Sequence, residues 1–162
     1  MSEAVRNRAR AHARDRAHDR SMKTSFDHER LDVYQESIAF CGWVGDLLSN
    51  ITAKAAVKDQ LDRASTSLPL NIAEGNGKFS TVDRARFLEI ARGSALECAA
   101  CLDVLVARKL VSPEQIIPAK EQLVRIVNML MGMLKRFSAR AEFLREDEGV
   151  YAIEHEHEHE HE

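Results

Sequence analysis

Between residues 29 and 141 the chain carries four long stretches in which apolar residues return every three or four positions. That spacing puts them on one side of an α-helix, and it fits no β-strand, whose faces alternate every second residue. Seven glycines and three prolines leave too few turn-formers for a sandwich or barrel. Hydrophobic residues make up 44% and aromatics 6%, so the core must be built from Leu, Ile, Val and Ala. The expected fold is all-α: an antiparallel, up-down-up-down four-helix bundle, with helices long enough to need only short connections.

The first segment, 29–50, lines up Leu31, Tyr34, Ile38, Cys41, Gly45 and Leu48, with Val33, Phe40, Trp43, Val44 and Leu47 widening the apolar surface. Asp27 is its expected N-cap. The second, 52–74, carries Val57, Leu61, Ala64, Leu68 and Ile72. Pro69 is expected to kink it, and Gly75 and Gly77 to end it through positive φ. The third, 81–110, is apolar around most of its circumference and is capped by Ser80 or Thr81. Its Gly93 costs about 1 kcal/mol against Ala, which predicts a close helix approach there. The fourth, 112–141, opens with Ser112 as N-cap, Pro113 at N1 and Gln115 at N3. The wide apolar faces of the first and third segments exceed what one bundle needs, and predict an oligomer.

A polar line accompanies the second segment: Gln60, Arg63, Ser67, Asn71 and Glu74. It reads either as a buried network that fixes helix register or as a binding patch. Folding about Gly77–Lys78 sets Arg63 opposite residue 92 or 93. Glu97 lies one turn further, so a buried Arg63–Glu97 pair is expected, helped by Gln60 and Ser94. Asn71 and Glu74 are expected to satisfy backbone groups at the turn.

The sequences SLPLNIAEGNGK (67–78), FLEIARGSALE (87–97) and QLDRA (60–64) together resemble the four helix bundle protein family, associated with intervening sequences in large-subunit ribosomal RNA genes. The same fold includes the accessory variability protein of diversity-generating retroelements. The resemblance spans about 31–140. It implies a homopentamer around a central channel and no established enzymatic activity. In the retroelement branch it implies a highly basic protein that binds nucleic acid and a reverse transcriptase.

Charge separates this chain from that branch. The formal net charge is −3, and residues 25–153 hold 16 basic and 18 acidic side chains. Lys78, Arg84, Arg86 and Arg92 read either as nucleic-acid contacts gathered around one mouth of an oligomer or as a solvated face. Residues 1–24 carry seven basic and three acidic residues, and are expected to be a disordered basic arm or a segment ahead of a start at Met22. Residues 25–148 are the expected bundle. Residues 149–162 are expected to be a flexible tail whose EHEHEHEHE run resembles a purification tag, with metal binding as its alternative reading.

Chemistry-bearing patterns are few. Cys98 and Cys101 within a helix supply at most two ligands, and three cysteines cannot all pair, so core thiols of a reduced cytoplasmic protein are expected. His28 is the only histidine between Met22 and the tail, and a single histidine without an adjacent nucleophile is not read as an acid–base site. No catalytic, cofactor or metal residue is therefore assigned, and no span of 18 apolar residues suits a membrane. The functional expectation is a non-catalytic homo-oligomeric scaffold, with a nucleic-acid-binding or ribonucleoprotein accessory as the alternative.

Overall fold

The structure is a computed structural model that describes residues 25–148, with side chains described as far as Phe137. The expected basic arm and His–Glu tail lie outside these residues. A 3-10 turn, Asp27–Arg30, leads into four α-helices: α1 (Asp32–Asn50), α2 (Ala56–Asn76), α3 (Thr81–Ala107) and α4 (Pro113–Glu148). No strand occurs among the described residues.

Local chemistry accounts for most helix ends. Ser80 Oγ accepts the Asp83 N–H at 3.3 Å and caps α3. At the start of α4 the Gln115 carboxamide oxygen accepts the Ser112 N–H at 2.7 Å, the reciprocal half of a capping box. Asp27 does not cap α1. It opens the 3-10 turn instead, and Leu31 occupies the N-cap without a side-chain hydrogen bond. The turn is held by the Glu29 carboxylate, which accepts the Phe26 N–H at 3.0 Å. Positive φ is absent from every described glycine, and Lys109, after α3, takes that role at φ 58°. The expectation for Gly75 and Gly77 is thus corrected: α2 runs on through Gly75, and Gly77 ends it with φ −78°.

Helix directions follow from cross-contacts. Ser67 meets Ser94, and Gly75 faces Phe87, so later residues of α2 stand against earlier residues of α3. Lys120 meets Asp103 while Phe137 meets Arg84, so α3 and α4 are antiparallel too. The five-residue connection 51–55 returns the chain against α1, which packs along α2. The backbone of α1 comes close to those of α2 and α4 but not to that of α3, and the backbones of α2 and α4 stay apart. The four helices therefore occupy the corners of a square, with α1 and α3 on one diagonal.

The core between them is fully buried and aliphatic: Leu61, Leu68 and Ile72 of α2, Leu88, Leu102 and Leu105 of α3, Ile126 and Leu130 of α4, and Phe40 and Val44 of α1. Each such side chain contributes roughly 1.5–3 kcal/mol by leaving water. The one fully buried hydroxyl in this set of large side chains, Ser37, is satisfied by donating to the Val33 carbonyl one turn back at 2.5 Å.

Candidate functional site

The α2–α3 seam holds the expected polar line, but only its middle is shielded. Ser67 Oγ and the buried Ser94 Oγ lie 2.9 Å apart. Asn71 Nδ2 donates to the Ser67 carbonyl at 2.8 Å and to its Oγ at 3.0 Å, and Ser94 Oγ also reaches the Ile90 carbonyl at 3.1 Å. This serine–asparagine cluster lets the two helices meet without stranding a polar group. Asn71 is spent here rather than at the turn.

Further along the seam, Arg63 Nη2 donates to Gln60 Oε1, and Gln60 Nε2 donates to Glu97 Oε1. Gln60 thus stands between Arg63 and Glu97, which make no direct ion pair, and both charged residues are exposed. The buried Arg63–Glu97 pair is a correction. The Ser67–Ser94 and Gly75–Phe87 contacts place the pivot about three residues after Gly77–Lys78, which brings residue 97 level with Arg63, but both charged side chains lie on the exposed edge of the seam and Gln60 takes the Glu97 carboxylate. The solvent-facing side of this line, with Asp62, Thr66 and Leu70, bounds an open depression of about 510 Å³. Arg63→Ala should therefore change stability by only about 0–1 kcal/mol in a urea titration, the scale of an exposed pair. A loss of about 3–5 kcal/mol, the scale of a broken buried pair, would restore the buried-network reading.

Two glycines exchange their expected roles. A Cβ on Gly93 would meet nothing within 4 Å, so no helix approaches there. Gly93 faces outward because Ala91, Ser94 and Ala95 turn the core side of α3 inward. The close approach is at Gly75, where a Cβ would stand 3.0 Å from Phe87 Cβ.

The basic residues are also divided. Arg84 Nη2 donates to the Lys78 carbonyl at 2.9 Å and to the Asn76 carbonyl at 3.3 Å, supplying the donors that the end of α2 lacks. Its guanidinium lies 5.3 Å from the Phe137 ring centre. Lys78 pairs with Glu74 at 3.1 Å and sits 4.6 Å from the Phe87 ring centre. Arg86 is exposed, and Arg92 is half-buried with its Nε unpartnered. Arg84 and Lys78 thus hold the α2–α3 tip together. At that tip Phe79 is 103% exposed, a side chain the sequence reading passed over.

The thiols are placed as core. Cys98 is fully buried and Cys101 nearly so, and burial, followed by the neighbouring Cys101, pushes the Cys98 thiol up to about 12. Burial, then the charge of Glu97, raises Cys101 as well. Such thiols stay protonated and unreactive near neutral pH. Among the described residues, no group of three or more His, Cys, Asp or Glu is arranged to hold a metal ion. No described helix is long and apolar enough to cross a membrane.

The largest feature that sequence reading left unresolved is an uncovered helix face. On α3, Ile90, Gly93, Leu96, Ala100, Val104 and Ala107 are all exposed and recur at steps of three and four. Leu96 is 50% exposed and Val104 42%. The spacing itself was the available signal: this second apolar line runs beside the one that fills the core, as a helix with two neighbours requires.

Comparison with known proteins agrees with this architecture. No curated protein matches the chain. A solved structure from Bacteroides thetaiotaomicron, described as a protein with unknown function from the S23 ribosomal protein family, is similar in fold. It shares 24% identity at a TM-score of 0.61, over 64% of this chain and 98% of that one. The sequence profile of the 23S rRNA-intervening sequence proteins matches residues 29–132, which is more than half of the chain. With the four-helix architecture and that match in agreement, the chain belongs to the 23S rRNA-intervening sequence protein family.

Proposed function

We propose that this protein is a non-catalytic scaffold that assembles with copies of itself, five in number as the family resemblance implies, and offers the assembled surface to partners. The observation that carries the reading is the outward face of α3. A helix exposed to water on that side would ordinarily be polar there. This one presents Leu96, Ala100, Val104 and Ala107 instead. Small and apolar side chains at helical spacing suit close packing against another helix. The site chemistry supports the non-catalytic part: the seam's polar groups bond to one another, and its thiols are buried and protonated. Light scattering at micromolar concentration should give a mass several times 18.3 kDa. A mass of one chain overturns the reading.

A nucleic-acid accessory is the second reading, and Phe79 favours it. A fully exposed phenylalanine beside Lys78 and near Arg86 can stack on an unpaired base while the cations meet phosphate. On this reading single-stranded RNA or DNA is retarded at low salt, binding weakens steeply as salt rises, and Phe79→Ala weakens it further. No retardation at low salt removes this reading and leaves the scaffold.

A further inference from the structure

Residues 1–24 and residues 25–50 carry opposite charges of equal size. The first stretch holds seven basic and three acidic side chains, a net of +4, and the second one basic and five acidic, a net of −4. The acidic stretch is the 3-10 turn and α1. Its Asp27, Asp32 and Asp46 are exposed, and their carboxylates form no ion pair among the described residues. Glu36 differs, since Gln122 and Arg125 of α4 already engage it.

Helix α1 also has a side that no helix covers. Its backbone comes close to those of α2 and α4 only, and away from both it presents Ile38, Ala39, Gly42, Gly45 and Ser49. Ile38 is 47% exposed, and a Cβ on Gly42 or Gly45 would meet nothing within 4 Å. Glycine weakens an exposed helix, so two of them on one open side suit a neighbour that comes close to the backbone. The basic stretch has residues of the matching kind. Ala9, Ala13 and Ala17 recur at every fourth position, which sets them on one side of a helix, with Arg6, Arg10 and Arg14 on the adjoining line.

We propose that residues 1–24 fold back on their own chain and lie antiparallel to α1 along this uncovered side. The chain approaches α1 from Ser25, so a segment that doubles back there runs against the direction of α1. Helix α1 has 19 residues and is roughly 28 Å long, and the preceding 24 residues reach its far end even at a helical rise of about 1.5 Å each. Doubling back near Ser25 sets Ala13 level with the region of Ile38 and Ala9 with the region of Gly42, small side chains against the open glycines. It also brings Arg6 towards Asp46 and places Arg16 and Arg20 on either side of the level of Asp32. Each exposed ion pair contributes little by itself. Attachment through Ser25 raises the effective concentration of the segment to the order of millimolar, so several weak pairs and one line of small residues suffice to hold it. No second copy takes part, and the contact stands whether or not the protein self-assembles.

Trp43 is the one tryptophan of the chain and lies on α1, so energy transfer from it reports where the basic segment sits. In full-length protein carrying Cys41→Ala, a dansyl acceptor is attached at Ala9→Cys, while the buried Cys98 and Cys101 stay unlabelled. The docked segment holds residue 9 within a turn or so of Trp43, whereas an unattached coil between the two would hold them roughly 30 Å apart on average. At low salt the label should therefore remove about half or more of the Trp43 emission, and at about 1 M salt the emission should recover as the ion pairs are screened. The loss should persist when the labelled protein is refolded with an excess of unlabelled Trp43→Phe protein. Gly42→Arg, with nothing within 4 Å of its Cβ, should leave the far-ultraviolet circular dichroism unchanged and restore the emission. If Gly42→Arg fails to fold, Asp46→Lys decides, and should restore the emission at lower salt than the parent needs. Emission that the label leaves unchanged at low salt overturns the proposal. A loss that survives in folded Gly42→Arg, or whose salt dependence Asp46→Lys does not move, overturns it too. A loss that disappears in the mixture with Trp43→Phe protein places the segment on another copy and does the same.

Discussion

Phe40→Ala is expected to cost about 3–5 kcal/mol of folding free energy, among the largest losses available to a single substitution in this chain. Phe40 is fully buried on α1 and stacks on Trp43, with ring centres 6.0 Å apart and planes at 28°. It is the largest side chain that α1 commits wholly to the core. Truncation removes the transfer free energy of the ring and leaves a cavity among side chains that α2 and α4 hold in place. Urea unfolding at fixed protein concentration measures the loss, since the midpoint of a self-associating protein moves with concentration. A change below about 1 kcal/mol would contradict the placement of Phe40 at the core, because that is the scale of surface substitutions.

Gly75→Val carries the second large effect, and it tests the helix–helix contact instead of the core. A Cβ at this position stands 3.0 Å from Phe87 Cβ and 3.4 Å from the Arg84 carbonyl oxygen. Neither obstacle is the movable end of a long side chain. To make room, α2 and α3 must separate at the place where Arg84 bonds the last carbonyls of α2. Overpacking of this kind costs about 1–3 kcal/mol, and valine's better helix propensity returns only a few tenths. Gly132→Ala is the control. It lies on an exposed part of α4 with nothing within 4 Å of a Cβ, and should gain about 0.5–1 kcal/mol. If Gly75→Val is as harmless as Gly132→Ala, the close approach of α2 and α3 at Gly75 is wrong.

The helices themselves were legible because apolar spacing alone reports them. Val57, Leu61, Ala64, Leu68 and Ile72 were read as one face, and all five are buried. Capping chemistry located Ser80 and the Ser112–Gln115 pair for the same reason: the groups that satisfy a helix start are close in sequence. Relations between helices were harder to read. The Arg63–Glu97 expectation fails on exposure and not on register, since the observed pivot brings residue 97 level with Arg63 while both side chains face solvent. The glycines mislead because a glycine can signal a turn or a contact, and at Gly75 it signals the contact, so α2 continues through Asn76. The rotation of the polar line was illegible for a second reason. Arg63, Ser67 and Asn71 flank the core boundary, where a small turn of the helix decides between burial and exposure. Arg63 falls outside and Ser67 partly inside. Which apolar residues of the first and third segments stay uncovered in one chain, Ile38 on α1 and Leu96 and Val104 on α3, depends on the square arrangement of the helices.

Self-assembly is the claim on which the scaffold reading rests. Native mass spectrometry of the unmodified protein counts the copies directly. The account predicts a dominant species of five chains of 18.3 kDa each, persisting on dilution through the micromolar range. A dominant single chain of 18.3 kDa under the same conditions would contradict it, and would leave the apolar face of α3 in need of a different occupant.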